Sequence, residues 1–262
     1  MRIAAYLILA IASAVALIWV REPIKVGLFT GIATALLIPL IDMIANHPYN
    51  FRLLYDCFRL RKQEVRVSLS YLIRIEQQGK YLLIQGKRYP DQYQPVGGVY
   101  KFNKSAMDNL NKLSVRADSL IPIDSVSSDD LRIRVPGKNL LTFLNWFKSG
   151  KNREVGAFRE FSEELLSEGP LKAQDFLDVR FDYVKQHVNK IRFSEHAQAY
   201  ELIIADIFDI VCTDAQRAEI MKLGENQDSK FICVDAERIK RRGAVSGEAH
   251  ALTIAPTAQW FL

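Results

Sequence analysis

Cysteine is scarce in this chain: Cys57, Cys212 and Cys233 are odd in number and far apart. That excludes a disulfide framework and zinc-type ligand spacing, and agrees with a reducing compartment. The four histidines, His47, His187, His196 and His250, are equally scattered and form no ligand or catalytic motif. There is no internal repeat and no long low-complexity tract, which sets aside solenoids and disordered tails. A concentrated basic stripe is also missing. The formal charge is +5, and from residue 51 onward 32 cationic side chains face 28 acidic ones. This argues against binding of a nucleic acid duplex, and suits an anionic membrane surface or a phosphate-bearing ligand.

What the sequence has in excess lies at its front. Residues 3–20, "IAAYLILAIASAVALIWV", hold eighteen positions without a charge, and residues 26–41, "VGLFTGIATALLIPLI", hold sixteen more. Each approaches the roughly 20 residues a helix needs to cross a bilayer. Pro23 and the charges of Arg21, Glu22 and Lys25 separate them. The pattern predicts a two-helix transmembrane hairpin, with spans of about 3–20 and 26–46. Arg52, Arg59, Arg61, Lys62 and Arg66 follow the second run, so the positive-inside rule places both termini in the cytoplasm. A cleavable signal peptide is the alternative, with "AVA" at 14–16 as the cleavage site.

Gly27, Gly31 and Ala35 recur every four residues, as do Ala12 and Ala16, a spacing that lets helices approach closely within one hairpin or between chains. Residues 47–66, rich in aromatics and arginines, read as a juxtamembrane collar.

The remainder, 67–262, reads as one mixed α/β domain. Apolar segments at 71–75 and 81–84 predict a hairpin across Gly79, followed by the turn "YPDQYQPVGGVYKF". There the adjacent Gly97 and Gly98 can offer backbone amides to a phosphate, so both are candidate nucleotide-binding positions. Residues 103–149 read as an insertion whose polar start carries one strand, "LRIRV", and whose end, 140–147, is helical. Further strands are expected near 179–186, 200–212 and 230–235, a helix with a capping Asp at 214–224, and a closing helix or turn at "PTAQWFL".

The segment "REFSEELL", 159–166, lies on a helix predicted over 153–167. Val155, Phe158, Phe161 and Leu165 would face the core, and Glu160, Glu163 and Glu164 would share another face. Carboxylates this close repel one another unless a cation lies among them. Mg²⁺, a hard ion that takes carboxylate oxygens, is the candidate cofactor. Arg159 is one turn from Glu163 and can pair with it. A plain amphipathic helix with a solvated charged face uses the same residues.

In that order the residues resemble the Nudix family, whose signature ends in Arg-Glu-apolar-x-Glu-Glu-x-Gly-apolar. Residues 159–164, "REFSEE", match its second half, while "KYLLIQGKR" and "YQPVGG" look like the strand and turn that lead into it. The signature's first glutamate falls at Lys151, its first glycine at Asn145 and its last glycine at Leu166. The resemblance implies an αβα sandwich around a mixed sheet. It also implies metal ligation by Glu160, Glu163 and Glu164, with Glu163, Glu164 and Arg159 catalytic in an active hydrolase. A Nudix-like domain behind a membrane hairpin further resembles the SMODS-associated Nudix proteins of bacterial anti-phage (CBASS) systems. That implies an inner-membrane effector that senses a cyclic oligonucleotide, assembles as a homo-oligomer and disrupts membrane lipid. A membrane-anchored, Mg²⁺-dependent hydrolase of nucleoside diphosphate derivatives, and a scaffold without ligands, are the other readings.

Overall fold

A computed structural model describes residues 2–46, 48–118, 129–167, 170–225, 230–244 and 252–262, and the chain divides into two compact units, 1–61 and 62–262. His47, His250 and residues 119–128 of the expected insertion lie outside the described residues.

In the first unit, α1 (Arg2–Trp19) and α2 (Pro23–Asn46) coincide with the two apolar runs and pack side by side. Pro23 opens α2, where its missing N–H forfeits no intrahelical bond. The hydroxyls of Thr30 and Thr34 donate to the carbonyls of Val26 and Thr30, each at 2.8 Å, so neither needs water. Ala10 and Ser13 are buried, whereas Ile8, Leu9, Ile11, Val15, Ile18 and Trp19 of α1 and Ile24, Leu28, Leu37 and Ile38 of α2 are exposed. Among the described residues no helix is long and apolar enough to cross a membrane, so the spanning hairpin expected from the sequence is taken up below as a proposal. A Cβ added at Gly27 or Gly31 would meet nothing within 4 Å, so these glycines are not what lets α1 and α2 pack. Then comes α3 (Pro48–Arg59), with Leu53 and Asp56 buried and Tyr55 and Phe58 exposed.

The second unit begins with β1 (Glu64–Arg74), β2 (Glu76–Gln77), β3 (Lys80–Gln85), β4 (Gln92–Gln94) and β5 (Val96–Val99). It continues through α4 (Met107–Lys112), β6 (Arg116–Ala117), β7 (Arg132–Pro136), α5 (Gly137–Lys148) and α6 (Phe158–Phe161), the last wound on as a π-turn over Ser162–Ser167. The chain ends with β8 (Arg180–Val188), β9 (Arg192–Ser194), β10 (Ala199–Val211), α7 (Asp214–Lys222), β11 (Phe231–Asp235), α8 (Ala236–Lys240), β12 (Thr253–Ile254) and a 3₁₀ turn at Pro256–Phe261.

One sheet runs β6-β7-β1-β10-β8, with β5 beside β7 on β1 and β9 beside β8 on β10. Its central pair, β1 and β10, is parallel, from Val65 opposite Tyr200 to Arg74 opposite Asp209, and its other pairs are antiparallel. The sheet is therefore mixed, as the family resemblance implies. A second sheet runs β11-β3-β4-β12. Alternation along β1 and β10 divides two cores. Leu72, Ala205 and Ile207 join Leu83, Val234, Ile239 and Phe261 in a cluster shared with the second sheet. Tyr71, Ile73 and Phe208 belong to the opposite face.

Several local expectations are revised. The strand expected at 71–75 is the end of the longer β1, which begins inside the segment expected as collar, and the β-hairpin joins β2 to β3 across Gln78 and Gly79, both at positive φ. Two positive φ values in succession give a turn whose twist matches that of the strands. The segment read as an insertion supplies β7 to the main sheet and, from α5, the buried Leu140, Phe143, Leu144 and Phe147. The cap of α7 is Thr213, reciprocally bonded with Gln216, and Asp214 is the first helical residue.

Candidate functional site

The site is built where α6 lies against β5. Gly97 and Gly98 sit within β5, opposite Leu72 and Tyr71 of β1. Gly97 has φ +153, and a Cβ there would fall 2.3 Å from the Tyr71 carbonyl oxygen. Only glycine fits that strand pairing without displacing β1. At Gly98 a Cβ would fall 2.0 Å from Oε1 of Glu160. The two glycines thus make a bare strip of strand on which the acidic helix rests. The Gly97 amide hydrogen-bonds the Glu164 carboxyl and offsets part of the effect of its burial.

The helix is shorter than its sequence pattern. Residues 154–157 are irregular, α6 starts at Phe158, and the second half is π-wound, a form that recurs at functional sites. Phe161 and Leu165 are fully buried as expected, but Val155 is 62% exposed and Phe158 45% exposed. A period of 3.6 cannot be carried back across the irregular stretch, nor forward through turns that close from i to i+5. Glu160, Glu163 and Glu164 do come together, in different surroundings: Glu164 is only 8% exposed, while the Glu163 side chain keeps 41% of its surface.

Arg159 organises the cluster. Its Nε donates to Glu154 Oε1 at 3.1 Å and its Nη1 to Glu160 Oε1 at 2.6 Å and Glu163 Oε2 at 3.4 Å. Its Nη2 donates to the Val99 carbonyl at 2.9 Å and to Glu154 Oε2 at 3.3 Å. Partial burial works against the guanidinium charge, but the Glu154 hydrogen bonds and the negative groups around it hold the Arg159 pKa above the ordinary arginine value. The expected Arg159–Glu163 pair exists and is its longest carboxylate contact. The tight partners are Glu154 and Glu160.

Glu154 is the residue that sequence reasoning missed. The signature spacing points to Lys151, but the chain turns between Gly150, at φ +69, and Asn152, at φ +58, before Glu154 enters the site. Glu154 also accepts from the Tyr71 hydroxyl at 3.3 Å and the Lys101 amide at 3.2 Å, and its own amide donates to the Lys101 carbonyl at 2.8 Å. The backbone bridge between Phe102 and Arg153 keeps that register. A shift of three residues between loop and helix leaves no periodic signal.

Behind this pair the polar network continues. Tyr100 donates to Asp206 at 2.8 Å, Gln186 donates to the same carboxylate at 2.7 Å, and the Arg153 guanidinium lies 3.8 Å from the Phe147 ring centre. Burial, then the neighbouring carboxylates, push the phenols of Tyr71 and Tyr100 well above the usual tyrosine range, so both remain donors at neutral pH.

The profile of the family described as SMODS-associated NUDIX domain matches residues 64–262. The chain belongs to this family. No curated protein matches the chain, and no solved structure does. The mixed α/β core and the acidic helix on its glycine strand are therefore the Nudix domain of this chain.

Nudix domains generally use divalent metals. The donor chemistry of Glu160, Glu163 and Glu164 suits such an ion, and Glu164 Oε2 is buried without a hydrogen-bond partner, an oxygen that a cation would satisfy. Burial, then the charge of Glu160, raises the Glu164 pKa to about 8. Among the described residues no group of three or more His, Cys, Asp or Glu side chains is arranged to hold a metal ion. Arg159 also places its positive charge against Glu160 and Glu163.

Proposed function

We propose that this protein is a bacterial anti-phage effector of the CBASS type, in which the SMODS-associated Nudix domain senses a cyclic oligonucleotide and the N-terminal helices act on the inner membrane. The observation that carries this reading is a family assignment over residues 64–262 joined to two N-terminal helices whose described large apolar side chains are mostly exposed. Bare isoleucine, leucine and tryptophan side chains in such number are unfavourable in water and favourable in a bilayer. The open space beside Gly27 and Gly31 suits close approach of a helix from another copy, consistent with a homo-oligomer. Ligand binding would shift the protein toward its assembled form through differential affinity for the two states. The test is reconstitution of the full chain in liposomes loaded with a self-quenched dye, with a panel of cyclic di- and trinucleotides. One member should release dye. Sealed vesicles throughout, with no nucleotide bound by calorimetry, would end this reading.

The orphan Glu164 oxygen favours a second reading, a membrane-anchored hydrolase of nucleoside diphosphate derivatives. On it Glu160, Glu163 and Glu164 would hold Mg²⁺, which would supply Lewis-acid activation, and Arg159 would position their carboxylates. Product release from a panel of nucleoside diphosphate compounds tests it, and full turnover by a Glu163→Gln, Glu164→Gln variant would show that the box is not catalytic.

A further inference from the structure

The outer edge of the main sheet is interrupted. β8 pairs with β10 from Ile204 onward and β9 pairs with it over residues 199–201, so the chain between β8 and β9 arches away opposite Leu202 and Ile203. The Asn189 amide holds one foot of the arch to the Ile203 carbonyl at 3.0 Å, and the buried Ile191 anchors its middle. Lys190 and Arg192, on either side of Ile191, both line a cavity of about 550 Å³ together with Asn189, Ser194 and Glu201.

The charge balance of this cavity is positive. Among the described residues Lys190 and Arg192 have no carboxylate partner, whereas Glu201 is engaged by the buried Arg66. Arg66 is fixed in turn by Asp118 at 2.6 Å, which Arg134 also meets at 3.1 Å. The acid in the wall is thus neutralised from behind, and the two cations in front are free for a ligand. Phe193, 53% exposed, is held edge-on to Tyr200 at 5.6 Å on the opposite face of the sheet from Arg192 and Glu201.

Two free cations and polar side chains around a nucleotide-sized space are the elements that bind phosphodiester groups. We propose that this cavity, and not the acidic helix, is where the domain binds the phosphodiesters of a cyclic nucleotide. The assignment rests on the sensor reading above and gives it a location on β8, β9 and β10. It also divides labour within the domain, since the carboxylates around Arg159 would repel the anion that Lys190 and Arg192 attract.

The experiment is calorimetric titration of the full chain in detergent with cyclic di-AMP, cyclic di-GMP, cyclic tri-AMP and inorganic triphosphate. It is repeated on Lys190→Glu/Arg192→Glu, Lys190→Gln/Arg192→Gln, Phe193→Ala and Glu163→Gln, each checked for an unchanged thermal transition. A cyclic nucleotide should bind the wild type. Charge reversal should weaken it at least about a hundredfold and charge removal about tenfold, while Phe193→Ala, on the opposite face of the sheet, and Glu163→Gln bind as the wild type does. If a nucleotide binds and both double variants, folded, bind it equally well, the cavity assignment is wrong and the sensor reading survives. If triphosphate alone binds, and loses affinity on charge removal, the nucleotide assignment and the sensor reading fall together. Loss of binding in Glu163→Gln with the double variants unaffected would move the ligand to the acidic helix and overturn the proposal.

Discussion

The Glu160 carboxylate lies over Gly98 so closely that a Cβ on the glycine would stand 2.0 Å from its Oε1. Gly98 and Gly97 look alike in sequence, but their substitutions should differ in kind. At Gly98 the obstacle is a side chain that can swing away, so Gly98→Ala should displace Glu160 and cost about 1–2 kcal/mol. At Gly97 the obstacle is the Tyr71 backbone, 2.3 Å from the added atom, and φ is +153. Gly97→Ala should cost more than about 3 kcal/mol, through strain and loss of β1–β5 pairing. Urea unfolding of both variants, followed by tryptophan fluorescence, checks the ranking.

Arg159 and Glu154 predict a second ordering. Arg159→Ala leaves Glu154 and Glu160 together without a cation, each with a side chain less than one-fifth exposed, and should lower stability by about 2–4 kcal/mol. Glu154→Gln keeps the shape and one acceptor and should cost about 1–2 kcal/mol. Lys151 is exposed, so Lys151→Ala should change stability by no more than about 0.5 kcal/mol. Thermal melts of the three variants measure this, and an effect of Lys151→Ala as large as that of Glu154→Gln would contradict the pairing.

These residues also show where the sequence was informative. "REFSEE" placed Arg159 and the three glutamates on one helix because hydrophobic spacing and a signature order are both local properties. The strands near 200–212 and 230–235 were legible for the same reason, as runs of β-branched and apolar residues. The parallel pairing of β1 with β10 was not, because register over more than a hundred residues depends on which faces meet in the core. Glu154 was hidden by an irregular turn, whereas β7 was legible as the alternating "LRIRV" and only its place beside β1 in the main sheet was not. Whether a glutamate is solvated or buried, as Glu163 and Glu164 differ here, depends on the strand beneath it.

Glu164 makes stability depend on pH in a direction opposite to that of most carboxylates. Its folded value, about 8, lies above the ordinary glutamate value of 4.5, so the native state holds the proton more tightly than the unfolded chain. Its contribution is fully present below about 4.5 and is lost as pH rises through about 8. The wild type should therefore lose on the order of 2–4 kcal/mol between pH 5 and 9 that Glu164→Gln retains. Chemical denaturation of both proteins across that range measures the difference, and parallel curves would show that the carboxyl is not held neutral.

The N-terminal unit yields the prediction on which the membrane reading turns. Ile11, Val15 and Ile18 of α1 and Leu28 and Ile38 of α2 are exposed apolar side chains. If they face lipid, one lysine in mid-helix costs about 2.5–3.5 kcal/mol by insertion scales, and two should shift the chain from membrane to soluble or aggregated fractions. If they face water, a lysine improves solubility and leaves the distribution alone. Carbonate extraction of cells expressing the wild type and an Ile11→Lys/Leu28→Lys variant separates these outcomes. The wild type should remain in the membrane pellet and the variant should leave it, whereas a control on α3, Arg52→Lys, should behave as the wild type because it preserves the charge beside Asp56. A wild type extracted as readily as the variant would detach the Nudix domain from any membrane role and leave the binding experiments to decide its function alone.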